Sequence, residues 1–320
     1  MLRRDFLARL VGGVAAGAGG LGEAWAYTRN KKHKTPKAPK SSSVSSKLDH
    51  IAVSTWSLRN YFRATRPPDC DLPGPMLALL DFPDTIVDRY KVRRFEYCAS
   101  HFASLETAYI REIKYVLAHT HTNIVNLSVD IEECGSEGTF SDPDPEKRQA
   151  ALEAVERWVD VARALGVKSI SVGPGKVDPE DLARTAESYK ELTAYAQRKG
   201  VHVVVENADT LGSDDPQQLL ALLRLAGPAR LGALPNFANF PDEPTRQSGL
   251  AMLFPYAQNV CHAKSLEFSA DGAETTYDFP AAVETARKAA FRGIYSIQFD
   301  GSGDPYVGIQ KTLDELVRYL

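Results

Sequence analysis

A single (β/α)8 barrel is the fold this sequence predicts, on three observations. From residue 48 onward, eight short β-branched or apolar runs alternate with polar loops and helical stretches. Four of the later runs end in a polar residue. No glycine-rich phosphate loop of the GxGxxG or GxxxxGK[ST] kind follows the first run. Eight strand-helix units in about 270 residues therefore fit a closed barrel better than an open doubly wound sheet.

Ahead of the barrel, residues 1–26 read as a twin-arginine-type export signal. Arg3-Arg4-Asp5-Phe6-Leu7 precedes a weakly apolar Ala/Gly/Val stretch that ends in Ala24-Trp25-Ala26. The stretch is too short and too rich in glycine for a stable membrane anchor, so no lasting membrane insertion is expected once the signal is removed. The expected location is periplasmic or otherwise extracytoplasmic. Residues 27–47 combine basic residues, Pro36, Pro39 and a run of serines with almost nothing to bury, and read as a disordered linker. The barrel domain is expected over 48–320.

Within it, the strands are read at 51–56 (IAVSTW), 94–97 (RFEY), 123–129 (NIVNLSV), 169–172 (SISV), 202–206 (HVVVE), 231–236 (LGALPN), 259–264 (NVCHAK) and 295–299 (YSIQF). Helices are read at 105–118, 145–165, 179–198, 216–225, 279–290 and 305–320. The second is the clearest: Ala150, Leu152, Val155, Trp158, Val159 and Ala162 recur at helical spacing. Val172-Gly173-Pro174-Gly175 reads as a strand-to-loop turn, since its proline and shortness do not suit a phosphate cradle.

Charge and cysteine usage narrow the function. The chain has 320 residues, 38 Lys or Arg, 41 Asp or Glu, and a net charge of −3. The first 47 residues hold ten of the bases and two of the acids, so residues 48–320 hold 28 and 39, a net of −11. Such a body repels a phosphate backbone, and nucleic acid is not an expected partner. Cys70, Cys98, Cys134 and Cys261 show no CxxC spacing, which leaves a zinc cluster or a thioredoxin-like site unsupported. Cys98 and Cys261 lie in or beside apolar runs and are expected to be buried.

In a barrel of this kind, chemistry sits at the C-terminal strand ends. Glu206, Asn236, His262 and Gln298 occupy those ends on four successive strands. Oxygen and imidazole groups converging on one mouth suit a divalent ion such as Mn2+, Mg2+ or Zn2+. Lys264, two residues beyond His262, shares its strand face and supplies positive charge for an oxyanion or a sugar hydroxyl. Glu96 on strand 2 and His101 in the loop after it are further candidates for the mouth. His119 and His121 stand before strand 3, at the opposite end, and read as surface or capping residues.

The chain resembles a known family at these positions. Trp158-Val159-Asp160-Val161-Ala162-Arg163-Ala164-Leu165-Gly166-Val167, Glu206-Asn207, Gly232-Ala233-Leu234-Pro235-Asn236-Phe237-Ala238-Asn239-Phe240, His262-Ala263-Lys264 and Gln298-Phe299-Asp300-Gly301 follow the family's order. Over roughly residues 50–320 the sequence is similar to the sugar phosphate isomerase/epimerase proteins with a xylose isomerase-like TIM barrel. The resemblance implies one divalent ion held by a Glu, an Asp, a His and a Glu after strands 5 to 8. Glu206 and His262 match, whereas Asn236 and Gln298 stand where the family has acids. Three formal negative charges fall to one, which weakens ion binding by several kcal/mol, so the resemblance implies a metal held weakly or not at all.

A family isomerase or epimerase takes a proton from the carbon beside a carbonyl with one carboxylate and returns it with another, while the ion stabilises the enediolate. Glu206 is the candidate base and Lys264 the candidate catalytic cation, but Gln298 cannot accept and return a proton. Candidate substrate contacts are Glu96, His101, Asn207 and Lys264, and the implied partner is a small carbohydrate or polyol. Two readings stay open: an isomerase, epimerase or lyase with an altered metal site, and a catalytically silent carbohydrate-binding barrel. A DNA-repair endonuclease on the same barrel needs a richer metal cluster and a basic groove, and the acidic body, the seven scattered histidines and the export signal weigh against it. Oligomeric state is not legible.

Overall fold

The computed structural model describes residues 41–70, 74–131, 138–175, 177, 181–208, 211–227 and 230–320. The expected signal, residues 27–40 of the expected linker, and Cys134 lie outside them. The element order is α1 (Ser41–Leu48), β1 (Ile51–Ser54), α2 (Phe82–Tyr90), β2 (Arg94–Cys98), α3 (Thr107–Thr120), β3 (Asn123–Val129), α4 (Pro145–Leu165), β4 (Ser169–Val172), α5 (Leu182–Lys199), β5 (His202–Glu206), α6 (Pro216–Ala226), β6 (Leu231–Leu234), α7 (Glu243–Leu253), β7 (Val260–Ser265), α8 (Phe279–Lys288), β8 (Ile294–Phe299) and α9 (Pro305–Tyr319).

All eight strands pair in parallel, in the order β6-β5-β4-β3-β2-β1-β8-β7. The two outer strands of that order meet through isolated bridges, Ala233 with Ala257 and Asn236 with His262, which close the barrel. Continuous apolar runs suit strands covered on both faces, and β1, β4 and β6 are buried along their whole length. Register sets the tiers of the interior. His262 pairs with Ser296, and two residues on, Lys264 pairs with Gln298. Since side chains alternate faces with period two, β7 and β8 point two successive polar tiers the same way.

Aspartates fix where the helices begin. Asp144, Asp181, Asp215, Asp242, Asp278 and Asp304 each accept a backbone N–H in the first turn of α4, α5, α6, α7, α8 and α9. Each such cap stabilises its helix by about 1 kcal/mol. Proline follows directly after Asp144, Asp215 and Asp304, with its fixed φ suited to the first helical position. At the other end of α3, His121 caps the helix in the left-handed region at φ 54° and His119 is exposed, as expected.

Three features differ from the sequence reading. The linker expected through residue 47 ends earlier, because Ser41–Leu48 is helical, Leu48 packs on the barrel core and Lys47 Nζ donates to Val317 O at 2.6 Å. Helices α2 and α7 were not expected. The first is only nine residues long, and its buried Phe82, Ile86 and Tyr90 repeat every fourth residue for barely two turns. The second contains Gly249, where a Cβ would stand 2.4 Å from the Phe240 ring, so close packing takes precedence over helix propensity. Cys98 and Cys261 are buried as expected.

Candidate functional site

Glu206, Asn236, His262 and Gln298 meet at the C-terminal end of the strands. Asn236 Nδ2 donates to Glu206 Oε1 at 2.6 Å and to Gln298 Oε1 at 3.1 Å, and stands 3.4 Å from His262 Nδ1. His262 Nδ1 is itself 3.0 Å from Glu206 Oε1. Pro235 ends β6 as a regular strand, and Asn236 then bridges to β7 through His262 N–H to Pro235 O and Phe237 N–H to His262 O. That bridge brings the β6 amide over the imidazole.

Asn207, a candidate substrate contact, holds this turn. Its Oδ1 accepts Asn236 N–H at 2.7 Å, and its Nδ2 donates to Asn236 O and Asn239 O, each at 3.2 Å. It is fully buried, so its amide positions the β6 loop and does not face the mouth.

Glu96 is also withdrawn from the mouth. Its side chain is completely buried beneath His262, with Nε2 of the imidazole 3.0 Å from its carboxylate. Asn126 Nδ2 donates to Glu96 Oε1 at 2.6 Å and Ser296 Oγ to Glu96 Oε2 at 2.6 Å, while Asn126 Nδ2 also reaches Ser171 Oγ at 2.9 Å. The imidazole thus stands between two carboxylates, one on each ring nitrogen. Only the doubly protonated ring donates to both. Burial alone would lower the His262 pKa, but the charges of Glu96 and Glu206 outweigh it and hold it well above its ordinary value. Burial likewise tends to raise both carboxylates, and the His262 charge and hydrogen bonds reverse this and hold each below the usual range.

A second polar chain leads outward. Asn239 Nδ2 donates to Glu206 Oε1 at 3.2 Å and to Asn207 O at 3.0 Å, and Asn239 Oδ1 accepts from Lys264 Nζ at 3.2 Å. Lys264 pairs with Asp300 at 2.8 Å, and Asp300 with Arg59 at 2.6 Å. Tyr277 donates its hydroxyl to Lys264 O, fixing the lysine backbone. Side-chain exposures of 21% for Glu206, 17% for Lys264, 23% for Asp300 and 20% for Arg59 identify the groups a ligand can touch. Beside Arg59, a cavity of about 200 Å3 is lined by Ser57, Asn60, Gly301 and Ser302 among others.

His101 does not join this centre. It is buried, stacked on Phe62 with ring centroids 4.0 Å apart, and its two nitrogens lie 2.8 Å from Thr55 Oγ1 and 3.0 Å from Thr65 Oγ1. Burial pushes its pKa down to about 3. Both Glu96 and His101 are therefore packing residues beneath or beside the mouth. Sequence reading assigned no role to Asn126, Ser296, Asn239, Asp300 or Arg59. Asn239 and Asp300 were within reach, since both lie inside the segments that carry the family resemblance and Asp300 follows Gln298 by two residues. Arg59, Asn126 and Ser296 carried no signal before the register was known.

As arranged, these residues do not fit a divalent ion. The amide nitrogen of Asn236 faces inward where an oxygen ligand is needed, Gln298 offers a neutral carbonyl in place of an acid, and one carboxylate, Glu206, reaches the centre. Among the described residues there is no group of three or more His, Cys, Asp or Glu able to hold a metal. Nor, among them, is any helix long and apolar enough to cross a membrane.

Among solved structures, the chain is similar to a xylose isomerase-like TIM barrel protein from Mycobacterium smegmatis in complex with magnesium, at 18% identity and a TM-score of 0.61 over 84% of this chain and 95% of that one. It is also similar to D-psicose 3-epimerase with D-tagatose from Clostridium cellulolyticum H10, at 14% identity, a TM-score of 0.61, and 84% and 96% coverage. D-allulose 3-epimerase from Methylomonas sp. gives 12% identity, a TM-score of 0.64, and 85% and 98% coverage. At such identities the likeness is one of fold. No curated protein matches the chain. Residues 91–316 match the xylose isomerase-like TIM barrel family, most of the chain, and this protein belongs to that family.

Proposed function

We propose that this protein is a sugar isomerase/epimerase-like barrel that binds a small carbohydrate or polyol at its C-terminal mouth and does not carry out two-base epimerisation. The observation that supports it most is the row of partly exposed groups from Glu206 through Asn239 to Lys264. A carboxylate that accepts, an amide that does both and an ammonium that donates match the alternating donor and acceptor character of a run of hydroxyls. The family supports the substrate class.

Inverting a carbon centre needs one group to remove a proton from one face and another to deliver it to the opposite face. Glu206 is the accessible carboxylate of the centre, Gln298 cannot exchange a proton at neutral pH, and Glu96 is closed off beneath His262. A second reading is favoured by the nearness of Glu206 to Lys264. Here Glu206 carries the proton from C2 to C1 on one face, while the Lys264 ammonium gives a proton to the carbonyl oxygen O1 and the resulting amine takes one back from the O2 hydroxyl, which is aldose-ketose isomerisation and not epimerisation.

Titration calorimetry against a panel of pentoses, ketohexoses and polyols, followed by NMR of each binder in D2O, tests both. Saturable binding without carbon-bound deuterium supports the binding reading. Deuterium entry with aldose-ketose conversion supports the one-base reading, whereas a C3 or C4 epimer as product contradicts both. Export by the Arg3-Arg4 segment is part of the same proposal, and cell fractionation of the wild type and an Arg3→Lys, Arg4→Lys variant tests it.

A further inference from the structure

The residues that the family resemblance assigns to a cation meet instead on an atom of the protein. Around Asn236 Nδ2 lie Glu206 Oε1 at 2.6 Å, Gln298 Oε1 at 3.1 Å and His262 Nδ1 at 3.4 Å, the other three members of the expected ligand set. The orientation of this amide is fixed from outside the centre. Ala238 N–H donates to Asn236 Oδ1 at 3.1 Å, and the backbone N–H of Asn236 is held by Asn207 Oδ1 at 2.7 Å. Rotating the amide by half a turn would set its oxygen 2.6 Å from a carboxylate oxygen, lone pair against lone pair, and would leave Ala238 N–H facing an N–H2 group. A side-chain amide nitrogen has two hydrogens and no lone pair to offer a metal. Its two hydrogens here have two acceptors, the Glu206 carboxylate and the Gln298 carbonyl.

We propose that the Asn236 amide nitrogen takes the place of the family's divalent ion, so that hydrogen bonds alone hold the centre together and it has no metal requirement. The paired change to amides at 236 and 298 then has one physical sense. Asn236 supplies the donor and Gln298 a neutral acceptor, whereas an aspartate at 236 would put a second charge against Glu206. This inference goes beyond the carbohydrate reading and does not depend on it, because it concerns metal and not sugar.

The test uses the full chain, freed of metal with EDTA and titrated with MnCl2, with binding heat and melting temperature as readouts. Wild type is expected to show neither a stoichiometric isotherm nor a Mn2+-dependent rise in melting temperature. Asn236→Asp with Gln298→Glu is expected to melt lower than wild type without metal and to bind Mn2+ at least tenfold more tightly than wild type, about 1.4 kcal/mol. Wild-type affinity within tenfold of the double variant's overturns the proposal, as does a folded double variant with no gain. If the double variant does not fold, wild type alone decides by NMR. The Asn236 side-chain N–H2 resonances are expected to keep their intensity under substoichiometric Mn2+, and paramagnetic loss of those resonances that Glu206→Gln abolishes overturns the proposal.

Discussion

His262 Nε2 lies 3.0 Å from Glu96 Oε1, although 166 residues separate the two in the chain. The contact joins β7 to β2 across the barrel interior, and with Glu206 on the other ring nitrogen it makes the imidazole the link between the buried tier and the mouth. Ser296 and Asn126 satisfy the rest of the Glu96 carboxylate, so no oxygen of that buried acid lacks a partner.

Removing Glu96 leaves a buried imidazole with one carboxylate and two hydroxyl or amide donors without an acceptor. Loss of one partner of a buried pair costs about 3–5 kcal/mol. Glu96→Leu is expected to lower stability by about that amount in urea unfolding, and Glu96→Gln by less, since its carbonyl still accepts from Asn126 or Ser296. A Glu96→Leu protein with the wild-type unfolding midpoint would contradict the structural role assigned to the pair.

His101 makes stability fall in mild acid. Its folded pKa, about 3, lies below the ordinary 6.5 because burial disfavours the charged ring. The unfolded chain therefore binds a proton that the folded chain refuses, and the stability the neutral ring contributes is complete above pH 6.5 and declines as pH falls toward 3. Linkage gives a loss of about 1.6 kcal/mol between pH 6.5 and 5. Urea denaturation at the two pH values should show this drop in wild type and a clearly smaller one in His101→Gln. Equal drops would mean that other groups titrate in its place.

Helix α1 belongs energetically to the barrel. Leu48 packs on the core and Lys47 reaches the last turn of α9. Deleting residues 1–40 is expected to leave the melting temperature unchanged, while deleting 1–48 removes the Leu48 contact and costs about 1–2 kcal/mol. Scanning calorimetry of the two truncations checks the boundary, and identical melting would place it after residue 48.

The barrel was legible because its strands, buried on both faces, read as apolar runs such as Val203-Val204-Val205, and its long helices carry periodic apolar stripes over many turns, as α4 does. Helix α2 has too few turns for such a stripe, and α7 interrupts it with glycine to admit Phe240. Strand ends identified Glu206, Asn236, His262 and Gln298 as neighbours. What they do to one another was not legible, because it depends on the direction of one amide, set by Ala238 N–H, and on a β2 carboxylate reaching β7. Glu96 and His101 were read as lining the mouth from the strand or loop they occupy. Depth along β2, which follows from register, decides otherwise for Glu96, and the stack on Phe62 with Thr55 and Thr65 on the two ring nitrogens does so for His101.

Asp300 governs where Lys264 points. The carboxylate lies 2.8 Å from Lys264 Nζ and 2.6 Å from Arg59, holding two cations side by side, and the ammonium also donates to Asn239 Oδ1 at 3.2 Å. With Asp300→Asn the pair of cations loses the charge between them, and Lys264 is drawn toward Glu206, the acid already close enough to feel its field. The ammonium would then neutralise the acceptor that a bound polyol needs. Carbohydrate affinity is expected to fall about tenfold, roughly 1.4 kcal/mol, in both Asp300→Asn and Lys264→Met. Because both changes act through one ammonium, the double variant should lose little more than either single one, a non-additivity expected for groups in contact. With side chains only 17–23% exposed, these ion pairs lie between the surface and the buried limits, so each variant is expected to melt below wild type at a cost of about 1–3 kcal/mol, and affinity is compared well below the lowest melting temperature. Calorimetric titration of the four proteins with the tightest-binding sugar separates the outcomes. Additive losses would mean that Asp300 contacts the ligand itself, and a silent Asp300→Asn beside a weakened Lys264→Met would mean that the lysine is oriented by Asn239 alone.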